Sequence, residues 1–414
     1  MREFRMKNQL GTALFVYTLV AATALSPLSS SMGIFGATTA LAAEQAIGAA
    51  VGKPLKEAQD LAGAGKYQAA LKKVQEAGGI SGKTAYESFV VDDFLLFLNV
   101  NLKDYAAAAA AGEAALATGE VPANDRPQRL KTLAQLNYSV KNYGKAVAFA
   151  QAFQKEAGTD PELRKLVVQS LYLQGDYVKA QAEAKSLVAT AKAAGGKPDE
   201  TVLQLWLSSA FKKSDKSGQR EALTELLAFY PKPAYFGDLL NLVAADLGRS
   251  NRMSLEIFRL KLAAGMLKSA DDYMEMAQLA IQLGLPGEAE SIMNKGFAGG
   301  VFGGQNKGRE QRLLAMAKSQ AAQDEPTLGA NAGTPDAKAA LGEAYASYGK
   351  TDKAIALYKD ALASNFAGGA LARLHLGQAI LAEGDHASAR KIFDGITDAK
   401  IAPLASIWAL VAKG

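Results

Sequence analysis

Between Lys338 and Ala361 the chain places Leu341-Gly342, Tyr345, Gly349, Ala354, Tyr358 and Ala361 at the offsets that two short antiparallel helices need to pack closely. Gly342 and Ala354 are small where the two backbones must approach. Leu341, Tyr345, Tyr358 and Ala361 recur at helical spacing and fill the seam. Gly349 ends the first helix, because glycine enters the left-handed conformation without a side-chain penalty. Such a unit cannot bury its apolar face alone. If the pattern recurs, the chain has to grow by stacking units rather than by building separate cores.

It does recur, from about residue 55 to the C-terminus. Gly65-Lys66-Tyr67 leads to Ala70, Val74 and Ala77, and Lys103-Asp104-Tyr105 leads to Ala108 and Ala115. Lys141-Asn142-Tyr143 leads to Ala146, Ala150 and Phe153, and Gly175-Asp176-Tyr177 to Ala180, Ala184 and Leu187. Trp206, Ala210, Ala222, Leu226 and Phe229 mark another unit, and Asn251, Ser254 and Phe258 a degenerate one. Ala277, Ala280, Gly284, Ala289 and Met293 follow. The best unit is repeated 35 residues on by Leu376-Gly377, Ile380, Gly384-Asp385-His386, Ala389 and Phe393. Trp408 then opens a frame with room for one helix only, so Ala402 to Ala412 is predicted to be a capping helix. Two stretches break the rhythm. One is the Gly/Pro loop Thr190 to Glu200. The other is a region of two loops, Gly296 to Gly308 and Asp324 to Thr334, around one helix from about Arg309 to Ala322.

These markers resemble the tetratricopeptide repeat family, a helix-turn-helix unit of about 34 residues. The resemblance implies an all-α fold, a right-handed α-solenoid of roughly nine or ten units with a C-terminal capping helix. The expected organisation is a leader over 1–42, a repeat array over 43–295, a Gly-rich damaged repeat or hinge over 296–334, and C-terminal repeats with the capping helix over 335–414. A weaker similarity, to exported repeat proteins linked to TonB-type systems, rests on Phe229-Tyr230-Pro231-Lys232-Pro233 with Tyr235, and on Asp272-Tyr273 and Gly284. It implies an envelope-transport partner.

The N-terminus carries Arg2, Arg5 and Lys7, then the apolar run Gly11 to Leu25, then Ala40-Leu41-Ala42. Small Ala40 and Ala42 stand at the two places a signal peptidase reads, so cleavage is expected after Ala42, with initiation at Met1 or Met6. The rival is an uncleaved anchor, since nothing from Asn8 to Ala43 is charged. The expected product is a free periplasmic protein that meets the membrane only through its signal peptide.

Composition narrows the chemistry. Of 414 residues, 49% are hydrophobic and 21% charged, which suits a packed protein rather than a disordered one. The net charge of +5 includes the basic leader, too small a balance to suggest nucleic acid as a partner. There is no cysteine, which removes disulfides, thiolate ligands, a cysteine nucleophile and a lipidated N-terminal cysteine. The only histidines are His375 and His386, so a His-rich metal site is excluded.

Ala77 to Thr84 reads AGGISGKT, a relaxed phosphate-loop pattern in which Lys83 and Thr84 would reach phosphate and Mg²⁺. That chemistry needs a strand before the loop, and here a helix precedes it, so an inter-helix loop is expected. The run Gly296 to Gly304 lacks any nucleotide fingerprint and reads as a flexible loop. His386 falls on the aromatic place of a turn and His375 beside a core leucine, so packing explains both better than catalysis or metal binding. The adjacent pairs Asp92-Asp93 and Asp271-Asp272 point in different directions on a helix. Met274, Met276, Met293 and Met316 are expected to fill the core.

One constellation repeats at places other than the packing markers, where a solvated face or packing beside the core is the plainer alternative. Lys131, Gln135 and Tyr138 are followed 34 residues later by Lys165, Gln169 and Tyr172, at the same places of consecutive first helices. In the resembled family the first helices line a concave groove. The resemblance therefore implies a two-rung ladder of ammonium, amide and phenol suited to an extended peptide. The expected function is a periplasmic scaffold or adaptor that binds protein or peptide, with neither catalysis nor a cofactor. The alternatives are a cell-wall hydrolase or its regulator on a solenoid, and a structural protein that assembles with itself.

Overall fold

The computed structural model describes residues 46–247, 250–303 and 307–413. The expectations on the leader, including Ala40 and Ala42, lie outside them. Among the described residues there are twenty α-helices and no strand. No described helix is long and apolar enough to cross a membrane. The chain divides into two compact units, residues 1–193 and 194–414. The division falls within the stretch Thr190 to Glu200, of which the structure leaves only residues 194–199 outside helices, and the 296–334 region lies inside the second unit.

The first unit is four hairpins: α1 (Ala49–Gly63) with α2 (Tyr67–Gly78), α3 (Ala85–Asn101) with α4 (Tyr105–Ala117), α5 (Arg126–Ser139) with α6 (Tyr143–Ala157), and α7 (Pro161–Leu173) with α8 (Tyr177–Ala193). Each helix packs on the one before and the one after it, the signature of stacked repeats. The hairpins share one closure. The amides of Lys66, Asp104, Asn142 and Asp176 donate to the carbonyls of Leu61, Asn99, Asn137 and Leu171 at 2.8–3.0 Å. This six-to-one bond needs a left-handed residue just before the donor. Gly65 and Gly175 supply it without strain, whereas Lys103 and Lys141 adopt φ of 63° and 64° with a side chain attached. The small places of the second helices, Ala70, Ala108, Ala146 and Ala180, are completely buried.

The second unit begins in the same way, with α9 (Glu200–Lys212) and α10 (Lys216–Phe229), α11 (Pro233–Leu247) and α12 (Asn251–Ala263), α13 (Ala270–Gln282) and α14 (Pro286–Ala298). A single helix, α15 (Lys307–Asp324), and a 3-10 turn at Glu325–Thr327 follow. The unit ends with α16 (Pro335–Ser347) and α17 (Thr351–Ala361), α18 (Gly369–Ala382) and α19 (His386–Asp394), and α20 (Ala402–Val411). In the best-preserved hairpin a Cβ added to Gly342 would stand 3.0 Å from a ring carbon of Tyr358, so any larger residue there would press the ring out of place. Gly377 meets the Phe393 ring in the same way.

Three expectations change here. The Gly-rich loop is shorter than its composition suggests, because α14 runs to Ala298 and α15 starts at Lys307. The Phe302 ring folds back over Gly296, and Leu313 and Ala317 of α15 join a core with Met276, Ile292 and Met293. Met316 does not fill the core: it is 43% exposed, on the outer side of α15. The last helix is more than a cap. Trp408 stacks on Phe393, and α20 also packs against α11 and α12. The C-terminal hairpins therefore turn back onto the middle of their own unit, which explains why Leu404, Ala405, Ile407 and Trp408 are all buried.

Candidate functional site

In the first unit the six ladder residues sit on α5 and α7 as their spacing implies, with unequal freedom. Lys131 Nζ is 2.5 Å from Asp160 Oδ2. Asp160 also accepts from the Leu163 amide and so caps α7. Burial alone would raise its carboxyl, but the Lys131 hydrogen bond and the capping amides hold it below the ordinary aspartate value. Gln135, Lys165, Gln169 and Tyr172 are half-buried. Tyr138 differs. It is 8% exposed, its hydroxyl is buried without a hydrogen-bond partner, and burial pushes its pKa up to about 12. Its ring meets that of Tyr143 edge-on at 5.8 Å, and Tyr172 meets Tyr177 in the same way at 5.4 Å. Each phenol of the ladder thus leans on the tyrosine that starts the next helix. Tyr138 is turned into the hairpin and does not face solvent.

The relaxed phosphate loop is a loop and a cap. Lys83 Nζ donates to the carbonyls of Gly78 and Ile80 at 2.6 and 2.5 Å. Thr84 starts α3 with a reciprocal capping box: its side chain accepts from the Glu87 amide, and Glu87 accepts from the Thr84 amide. Both residues that would serve a nucleotide are already used by the fold.

A dense polar cluster lies in the second unit, where the C-terminal hairpins face α12 and α14. Arg259 of α12 is at its centre. Its Nε and Nη2 grip both oxygens of Glu288 on α14 at 2.8 and 2.6 Å, the paired geometry a guanidinium favours. Nη1 donates to Glu256, one turn back, at 2.6 Å, and Nη2 to Glu343 of α16 at 3.1 Å. Glu343 also pairs with Arg252. His375 of α18 brings Nε2 to 2.9 Å from Glu256, whose other oxygen accepts from Gln378 at 3.1 Å. Glu256 is completely buried. Burial works to raise its pKa, but the charges of Arg259 and His375 and the bonds from His375 and Gln378 overcome it and hold the carboxylate far below its usual range. Glu343 is lowered for the same reasons: His375, Arg259 and Arg252 outweigh its burial.

Beside this network runs a cleft of about 520 Å³ between α12 and α14 on one wall and α16, α18 and Trp408 of α20 on the other. Glu256, Glu343 and His375 offer ligand atoms within 4.8 Å of one another, close enough for a metal ion. The donor set does not fit one: guanidinium nitrogens of Arg259 already stand within 3.2 Å of all three, which places a fixed cation where a metal would go. The network joins four helices by charge.

The network and the ladder use the same place of the repeat. Gln135 and Gln169 stand two residues after the seam residues Leu133 and Val167; Glu343 and Gln378 stand two residues after Leu341 and Leu376. Sequence reasoning found the first pair and missed the second. The contacts of Glu343 and Gln378 lie 84–122 residues away, and no periodicity reports them. It also placed His375 as a packing residue; His375 is buried, but as a hydrogen-bonding member of the network. His386 is a turn residue whose Nδ1 is 3.2 Å from the Ala412 carbonyl.

No model of a protein family matches the sequence, and no curated protein matches it. The chain is similar to several solved structures, all at low identity. One is YrrB, described as a TPR protein with an unusual peptide-binding site, at 14% identity over 44% of this chain and 87% of that one, with a TM-score of 0.32. Another is the TPR domain of P58(IPK), at 14% identity over 88% and 98%, with a TM-score of 0.25. A third is the TPR2AB domain of yeast Sti1 in complex with pHSP90, at 14% identity over 70% and 100%, with a TM-score of 0.24. All three are described as tetratricopeptide-repeat proteins or domains.

Proposed function

We propose that this chain is an exported scaffold that holds a protein or peptide partner along the first helices α5 and α7. One observation supports the reading above the others. Where the same repeat place can be seen with its contacts made, at Glu343 and Gln378, it grips charged side chains of a facing helix. Gln135 and Gln169 occupy that place in the first unit, and their amides can donate to and accept from a backbone or a side chain. Lys131, one turn back, is held by Asp160, and the partly exposed Tyr172 ring offers the partner an anchor. Tyr138 supports this face from behind by fixing Tyr143. The leader motif favours a periplasmic place of work. The TonB-linked resemblance favours a partner in envelope transport.

The test is a photo-crosslinking residue at Gln135, Gln169 or Tyr172, with Lys179 on α8 as the control, followed by mass spectrometry of the envelope fraction. The expected result is one set of protein adducts from the three α5 and α7 sites and none from Lys179. Equal adducts from all four sites would remove the proposal.

A further inference from the structure

The hairpins of the first unit all turn at one edge, because α1, α3, α5 and α7 run one way and their partners return. Each tip carries a residue in the left-handed conformation. In the first and fourth tips it is Gly65 and Gly175; in the second and third it is Lys103 and Lys141, at φ of 63° and 64°. A side chain in that conformation costs backbone energy that glycine avoids, and such strain gathers where the side chain has a function. The dipole of the preceding helix favours a lysine there, yet the other two tips close with glycine at the same place.

The two lysines make no internal contact. Lys103 and Lys141, with Lys66 beside Gly65, are exposed, and among the described residues their ammonium groups meet neither an acid nor a carbonyl. The acids of this edge are occupied. Asp104 accepts from the Ala107 amide at 3.0 Å, and Asp176 accepts from the Lys179 amide at 3.1 Å and from Lys179 Nζ at 2.8 Å. The fourth tip adds apolar surface, since Leu173 is 45% exposed and Val178 62%, on either side of Gly175. Half-buried Tyr67, Tyr105, Tyr143 and Tyr177 stand two residues after each left-handed place. We infer that this edge is a docking surface for an anionic lipid layer, with the lysines on the phosphates and Leu173 and Val178 in the apolar zone beneath. Free cations beside exposed aliphatic side chains and tyrosines match the two zones of a bilayer surface. A soluble polyanion would satisfy the lysines and leave Leu173 and Val178 in water, so lipid fits the edge better. The edge lies at helix ends, apart from the α5 and α7 face, and neither reading depends on the other.

The test is co-sedimentation with vesicles of phosphatidylcholine, with and without phosphatidylglycerol. It uses the chain from Ala43, the product expected after cleavage, so that the apolar leader does not bind lipid by itself; all twenty helices lie within it. Binding is expected only where phosphatidylglycerol is present, and it should weaken with salt. A lysine near an anionic surface is worth about five-fold in binding. Lys103→Gly with Lys141→Gly should therefore weaken binding about ten-fold or more. Its thermal midpoint should hold or rise, because glycine already fills the same place in the other two tips. Lys53→Ala with Lys155→Ala removes two exposed lysines near the opposite edge and should leave binding unchanged. Leu173→Ser with Val178→Ser should weaken it. Equal binding to neutral vesicles, no binding to either, equal loss in the two lysine variants, or no loss in the serine variant would each overturn the inference. A chain that ignores vesicles but binds poly-glutamate through Lys103 and Lys141 would have an acidic protein at this edge, which would also overturn it.

Discussion

The face of α5 and α7 and the face of α16 and α18 come from the same repeat place and meet opposite fates. On α16 and α18 the side chains at this place are saturated by α12 and α14 of the same unit. On α5 and α7, Gln135 and Gln169 stay half-exposed, and the ion pair of Lys131 with Asp160 joins neighbouring repeats. The difference comes from the connection. Hairpins joined by short closures simply stack, and their first helices stay side by side. The extra helix α15 and the turn after it break the stack and let the last hairpins turn back. The comparison teaches that a repeat place specifies chemistry, whereas the connections decide whether that chemistry is spent inside the chain.

The largest effect should come from removing the centre of the saturated face. Arg259→Ala leaves Glu256 and Glu288 without their cation, and stranding buried charge costs about 3–5 kcal/mol. The loss should fall on the joint, so hydrogen exchange followed by mass spectrometry should show α12, α16 and α18 deprotected and α5 to α8 unchanged. If protection fell equally in both units, the network would not be a local joint. Next in size is a test of what the two regions share. Ala354→Trp and Ala146→Trp both overfill a completely buried alanine place, and each should cost about 1–3 kcal/mol or more. An unchanged thermal midpoint for either would show the repeat frame to be misplaced there.

Acid should separate the regions more gently. Glu256 and Glu343 have folded pKa values held below the ordinary glutamate value of 4.5, so their contribution is complete above that value and is lost as the pH falls through the folded values. In the first unit the lowered carboxylates Glu87, Asp160 and Asp176 sit at the starts of separate helices, Glu87 reaching also the Gly48 amide and Asp160 also Lys131, and they share no common network. Below about pH 4.5, exchange should therefore rise in α12, α16 and α18 together, and in the first unit only at helix starts. The reverse order would contradict the assignment of these charges.

The fold was legible because its determinants are local. Gly342 against Tyr358, Gly377 against Phe393, the second-helix alanines and the tyrosines that start α2, α4, α6 and α8 lie within one repeat of each other, so spacing alone reports them. The lysines at left-handed positions were legible only as turn residues, since propensity does not mark Lys103 or Lys141 for that conformation. The return of α16 to α20 onto α12 was not legible. It depends on Arg259 meeting Glu343 and on Glu256 meeting His375, contacts between residues far apart that leave no period. One local hint was present. Glu256 and Arg259 lie one turn apart on a helix whose Leu255 and Phe258 are core residues, and charges placed beside a seam need partners somewhere. The six-residue ladder was legible as a repeat of polar places. That Tyr138 turns inward was not, because a phenol beside the seam can pack or point out with the same spacing.

The account turns on one repeat place that binds outward in the first unit and inward in the second. Its most direct measurement is a photo-crosslinking residue placed at Gln169 in one sample and at Gln378 in another. The account predicts intermolecular adducts from Gln169 and an intramolecular adduct to α12 from Gln378. Intermolecular adducts of equal yield from both sites, or an intramolecular adduct from Gln169, would contradict it.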